Sequence, residues 1–270
     1  GMGSMVDAMV NIIKAGGGKF LINKTVKKFM IDNGTIKGVI CEDGTKEEAD
    51  VVLASGGARE LLLDTIDMEN LPKEFILQVK DLPLMESIFM VHLGIDFDPR
   101  PYQKLSTAYY YGTYDIDGAI KECRHGIYHE GRDGFVVFIP TLFSPELAPP
   151  NHHALTVYTI APNILNEGTW EERKEEFAEK LLIEAEKVIP NLRNAKVKVI
   201  LTPEDFKDMI HVKHHAFGGM APIMGKPKIP HEIPIKNLWF IGSQSESGAG
   251  LCPIISDTAR LTKSLLKKYK

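Results

Sequence analysis

The segment Asn237-Leu238-Trp239-Phe240-Ile241-Gly242 restricts the fold more than any other stretch of this 270-residue chain. Its apolar run is short and closes on glycine, the mark of a strand enclosed on both faces. A loop of small residues, Ser243–Leu251, follows, with Gly248 and Gly250 in it. Then Ala259, Leu261, Leu265 and Leu266 recur at helical spacing, which predicts a helix over Ile255–Tyr269. Strand, glycine-bearing loop and helix together are the building unit of α/β proteins.

The first residues lead to a second ending of this kind. Met5, Met9, Ile12 and Ile13 repeat every three or four positions, and Gly16-Gly17-Gly18 stops the pattern, so a short amphipathic helix is expected. Lys19–Asn23 reads as a strand. Thr25–Ile31 and Thr35–Cys41 read as two more, joined by Asp32-Asn33-Gly34. Asn and Gly adopt positive φ at low cost, which makes this pair a hairpin signal. Asp43-Gly44 supplies another turn, and Asp50–Ala54 is an apolar strand closing on Ser55-Gly56-Gly57.

The middle of the chain differs. Leu84–Phe97, Tyr109–Tyr114, Gly134–Ile139, Ala154–Ile160 and Ala195–Leu201 are expected as strands. Between the last two, Trp170–Ile189 is a helix: Thr169 and Glu172 form a capping box, and Pro190 marks the end. Its buried stripe is Phe177, Leu181, Leu182, Ala185, Val188 and Ile189, opposite a face of Glu and Lys.

Composition narrows the function classes. With 44% apolar and 25% charged residues the chain is globular, and a net charge of −4 offers no basic stripe for nucleic acid. The longest apolar runs, near Ile88–Leu93 and Asn237–Ile241, fall far short of a bilayer span. Cys41, Cys123 and Cys252 are widely separated and imply neither a disulfide framework nor a zinc knuckle, which suits a reducing cytoplasm.

The glycine-rich loop before the final helix leaves backbone amides free to approach an electron-rich ligand. A flavin ring has that need, because its pyrimidine carbonyl and N1 gather negative charge on reduction. Amides at a helix N-terminus stabilise such charge without a titrating side chain.

At this point the sequence resembles the phytoene desaturase-like FAD-dependent oxidoreductases. Asn237–Ser256 is similar to that family's C-terminal flavin motif, and Gly1-Met2-Gly3-Ser4-Met5 to its Gly-Met-Gly helix entry. Asp50–Gly57 resembles its returning strand, and Pro140-Thr141-Leu142-Phe143-Ser144-Pro145-Glu146-Leu147-Ala148-Pro149-Pro150 a proline-rich stretch of the family. Thr202–Phe206 and Ala216-Phe217-Gly218-Gly219 agree in position. The resemblance implies a mixed α/β fold. A partial Rossmann-like FAD-binding domain with a three-stranded meander would span 1–63 and 202–270, with an inserted mixed-sheet substrate domain over 64–201. It also implies FAD as cofactor, with Gly242 and Ser243 beside the ribityl and phosphate. Ile254 and Ile255 would offer amides to the pyrimidine edge, and Gly250 would lie in the same loop. Val26 would pair with the adenine, and Ser55-Gly56-Gly57 would pass near the pyrophosphate. The implied substrate is an apolar, isoprenoid or polyene small molecule, with peripheral membrane contact and self-association among the accompanying expectations.

The sequence departs from the family at several positions. Ser247 stands where proline is usual, Pro253 where glycine is usual, and Thr258 replaces a glycine. No Gly-x-Gly-x-x-Gly opens the chain, so it corresponds to the later part of a family-length protein, and reduced FAD affinity is expected. Two other readings stay open: a non-catalytic fragment that binds substrate or a partner, and an amine-oxidase-like flavoenzyme of the same fold. His211, His214 and His215 have metal-like spacing, but Pro203 and Gly218 flank them and no cysteine or carboxylate sits at ligand spacing. Tyr109–Tyr111 and Phe135–Phe138 are consistent either with a substrate cavity or with sheet core. Cys252, one thiol among small residues, reads as inert. No side chain is singled out as an acid or base, as befits chemistry done by a cofactor.

Overall fold

The computed structural model describes residues 1–83, 85–212, 228–248 and 250–269. The expectations that fall on Leu84, His214, His215, Ala216–Gly219 and Ala249 lie outside the described residues. In chain order the first elements are α1 (Met2–Ala15), β1 (Val26–Asp32), β2 (Thr35–Cys41), β3 (Lys46–Glu48), β4 (Val52–Ser55), α2 (Lys73–Lys80), β5 (Ser87–Ile95) and β6 (Thr107–Tyr111). There follow α3 (Ile116–Arg124), β7 (Gly134–Phe138), β8 (His153–Ala161), α4 (Trp170–Ala185), β9 (Val197–Leu201), α5 (Pro203–Ile210), β10 (Leu238–Ile241) and α6 (Leu251–Lys268). The chain divides into two compact units, Gly1–Phe20 with Glu86–Phe206, and Leu21–Met85 with Lys207–Lys270.

The first unit is built on an antiparallel sheet in the order β6-β7-β8-β5-β9. Period-two alternation sends Phe89, Val91, Leu93 and Ile95 to one face of β5, where they are buried with Trp170, Phe177, Leu181 and Leu182 of α4. Aromatic rings organise that layer: Phe89 stacks on Trp170 at 5.7 Å, and Tyr128 meets Phe177 edge-on at 4.9 Å. Helix α4 starts where the sequence predicts. Thr169 Oγ1 accepts from the Glu172 amide at 3.3 Å while Glu172 accepts from the Thr169 amide at 3.1 Å. Thr169→Ala is therefore expected to lower the stability of this unit by about 1 kcal/mol in denaturant melts. The helix ends at Ala185, short of Ile189. Residues preceding a proline disfavour the helical region, so the last turn before Pro190 tightens instead. Ile189 is still fully buried.

Helix α3 is absent from the sequence reading. It is short, and Asp115 caps it by accepting from the Gly118 amide at 2.9 Å. Helix α1 matches its expected span and stops at Gly16, whose amide bonds Ile12 O at 3.0 Å.

The second unit holds the meander β1-β2-β3 and a parallel pair, β10 beside β4. Asn33 and Gly34, at φ +47° and +69°, turn the hairpin between Asp32 and Thr35 as expected. Lys19–Asn23 forms no strand. Asn23 sits at φ +59°, which breaks an extended run, and Phe20, Leu21 and Ile22 are exposed. The core joins Phe29 and Ile36 of the meander with Leu62, Leu71, Phe75, Val79, Leu238 and Phe240. Residues 64–83 thus pack with the meander through α2, whereas the sequence grouped them with the inserted domain.

Candidate functional site

Strands β4 and β10 run in the same direction, with Ser55 in register with Ile241. Their carboxyl ends lie side by side, and each is followed by a glycine at positive φ: Gly56 at +141° and Gly242 at +99°. Ligands of open α/β sheets bind outside the carboxyl ends of parallel strands. A Cβ at Gly56 would approach Leu61 Cδ1 at 3.9 Å, and one at Gly242 would approach Ser55 Cβ at 3.6 Å, so among the described residues both glycines border open space. A side chain would fill that space, while bare backbone leaves it to a ligand. The residues present fit a cofactor held by main chain.

Side chains fix the two loops together. Gln244 Oε1 accepts from the Ala58 amide at 2.8 Å in a buried bond, which joins the segment after β4 to the one after β10. Ser245 is fully buried and donates to Gly242 O at 2.7 Å. Ser247, the residue standing in place of proline, donates to Asp257 Oδ2 at 2.6 Å. His231 Nε2 donates to the same oxygen at 2.5 Å, and its Nδ1 donates to Phe240 O at 2.8 Å. Asp257 is ionised: the bond from Ser247, then that from His231, hold its carboxyl down at about 2. Arg260 also contacts Asp257. The first turns of α6 are thereby tied to β10.

The sequence candidates fall into one cluster and one outlier. Ser55, Gly56, Gly57, Gly242 and Ser243 meet at the strand ends. Gly57 is buried, and a Cβ there would meet the carboxylate end of Glu60 and lie 3.4 Å from Val212 Cγ2. Gly250, at φ +106°, is the N-cap of α6. Val26 opens β1, opposite Cys41 in the meander. Helix α6 begins at Leu251, a full turn ahead of the expected Ile255, because Pro253 lies in the first turn where no N–H is needed. The Ile254 amide consequently donates to Gly250 O at 3.2 Å. In a helix starting at Leu251, the first-turn amides lacking an intrahelical acceptor are those of Leu251 and Cys252. No local pattern signals the His231–Asp257 bond, which joins residues 26 positions apart.

The first unit contains a cavity of about 310 Å³ bordered by β6, α3, β7 and β8. Its apolar lining includes Ile88, Ile120, Val136 and Ile160, and the expected aromatics Tyr109–Tyr111 and Phe135 border it as well. Tyr110 donates to Gln103 Oε1 at 3.0 Å, which fixes its ring. Burial raises the Tyr158 phenol, with Tyr109 adding to the effect. Cys123 faces the cavity as a thiol: burial pushes it up to about 12, Glu86 contributes, and Arg124 opposes. Among the described residues, no group of three or more His, Cys, Asp or Glu is placed to hold a metal ion. No helix among them is long and apolar enough to cross a membrane.

No protein-family model matches the chain. Curated proteins do. The chain is similar to phytoene desaturases. A zeta-carotene-forming phytoene desaturase of Myxococcus xanthus is 25% identical over 278 residues, 98% of this chain and 52% of that protein. Pyridine nucleotide-disulfide oxidoreductase domain-containing protein 2 of Mus musculus is 23% identical over 278 residues, 93% of this chain and 48% of that protein. The chain spans about half the length of the curated relatives it matches. Among solved structures, an oxidoreductase from Methanosarcina mazei superposes with a TM-score of 0.61 at 22% identity, covering 93% of this chain and 51% of that one. The fold is thus the mixed α/β fold of an oxidoreductase, and the resemblance to phytoene desaturases runs over nearly the whole chain.

Proposed function

We propose that this chain carries the flavin-end and substrate portions of an FAD-dependent oxidoreductase that acts on an apolar, polyene or isoprenoid-like molecule. One observation carries the reading: two parallel strands end side by side on positive-φ glycines, in a chain similar to phytoene desaturases. When bound, a flavin supplies the hydride- and electron-accepting chemistry. The chain's own task is to bind and orient. Gly56 and Gly242 let main chain approach the cofactor, with Ser55, Gly57 and Ser243 around them. The α6 N-terminus offers the Leu251 and Cys252 amides to negative charge, ahead of Ile254 and Ile255, and its dipole favours that charge. Gly250 caps this end, and Val26 is assigned to the adenine. The cavity of the sheet unit holds the apolar substrate.

The reading is tested by titrating the isotope-labelled chain with FAD and following amide resonances, which report weak binding as well as tight. Shifts are expected at Gly56, Gly242, Leu251 and Cys252, and Gly242→Val should abolish them, since a branched residue resists φ near +99°. Shifts confined to other regions, or unchanged in the variant, would overturn it.

A further inference from the structure

The cavity of the sheet unit is lined mostly by apolar side chains and tyrosine rings. Asp133 and His129 join the lining. His129 is clamped between two carboxylates: Nε2 lies 2.7 Å from Glu122 Oε2, and Nδ1 contacts Asp133 Oδ2. A ring with both nitrogens committed has no donor left for a ligand. Two other donors at the wall are committed too. Thr159 Oγ1 donates to Gly134 O at 2.6 Å, and Tyr110 donates to Gln103. A carboxylate accepts at up to four lone-pair sites, and Asp133 spends one of them on His129. Beside the hydroxyls of Tyr109, Tyr111 and Tyr158, the lining therefore presents the Asp133 carboxylate as an acceptor, oriented by its contact with His129.

We infer that the cavity takes an amphiphile: an isoprenoid-sized apolar chain lying on Ile88, Ile120, Val136 and Ile160, with a terminal hydroxyl donating to Asp133. Asp133 is the specificity-determining residue, and His129 is its positioning residue. This rests on the reading of the cavity as the substrate site. At about 310 Å³ the space sits at the lower bound of ligand pockets, about 300 Å³, which suits one end of a long chain or the whole of a short one. A terminal carboxylate is disfavoured, because it would meet the like charge of Asp133.

The test titrates the protein with farnesol, farnesene and farnesoic acid, which share one isoprenoid chain and differ at its end, by calorimetry. Farnesol is expected to bind roughly tenfold more tightly than either of the others, the usual worth of a hydrogen bond to a charged group. Asp133→Leu should bring farnesol down to the affinity of farnesene, and Ile120→Trp should weaken all three ligands. Should Asp133→Leu unfold, Asp133→Asn serves: it keeps an acceptor oxygen and removes the charge. It should preserve the preference for farnesol over farnesene while admitting farnesoic acid. Equal affinity for farnesol and farnesene in the unaltered protein, or a farnesol preference that survives Asp133→Leu, overturns the inference and leaves the cavity as an apolar site. Failure of all three to bind overturns the substrate reading of the cavity as well.

Discussion

Removing either partner of the His231–Asp257 pair is expected to destabilise the second unit by about 2 kcal/mol, because the polar group left behind is buried and loses a short hydrogen bond. The side chains are 8% and 12% exposed, so water does little to compensate. Asp257→Asn and His231→Ala should both show the effect in denaturant melts at neutral pH, the second less strongly, since Asp257 then keeps Ser247 and Arg260. The pH dependence follows from the Asp257 carboxyl, which lies at about 2 against an ordinary 3.8. A depressed carboxyl contributes stability that is complete above its unfolded value and is lost as the pH falls through the folded one. Melts of the unaltered protein should therefore weaken between about pH 4 and pH 2, and Asp257→Asn should flatten that part of the profile. A variant as stable as the parent at pH 7 would mean that the pair adds nothing. Loss of Ser247's bond to Asp257 in Ser247→Ala should cost less, since Asp257 then keeps His231 and Arg260.

Trp170→Ala is expected to cost the sheet unit about 4 kcal/mol, through lost burial and the space the indole leaves. Trp170 is 2% exposed, with Phe89, Tyr128 and Phe177 centred within 5.7 Å of its ring. Three rings packed against it limit collapse into the gap, because each is itself held by the others. Thermal unfolding monitored by far-ultraviolet circular dichroism checks this, and a loss near 1 kcal/mol would show that the cluster relaxes into the vacated space.

Features governed by neighbouring residues were legible in the sequence. Asn33-Gly34 made its hairpin and Thr169 with Glu172 made its capping box, because both rules act over a few positions. The strand before Gly242 was equally plain. Lys19–Asn23 misled because an apolar run extends only when a neighbouring strand accepts its backbone, and none does among the described residues. Helix α2 escaped notice although Pro72 precedes it and Phe75 and Val79 have helical spacing, since one buried edge on eight residues gives little periodicity. Helix α3 carried its cap, Asp115, in plain sight. Of the candidate site, the glycines could be read, but their meeting could not. Ala58 and Gln244 are 186 residues apart, and a pattern of residues does not say which strands pair across that distance. His231 and Asp257, 26 residues apart, are likewise brought together only by the fold.

The parallel pair also sets an order of events. Among the described residues β4 pairs with β10 alone, and the whole of Glu86–Phe206 is synthesised between Val52 and Leu238. The inserted sheet needs only partners from its own stretch of chain, β6 with β7 and β7 with β8, so it can mature while β4 is still single. Long-range pairing of this kind is slow to nucleate, and a lone strand such as β4 is a template for other chains meanwhile. On the ribosome, the interval between the emergence of Ser55 and that of Ile241 is when this polypeptide most needs a chaperone.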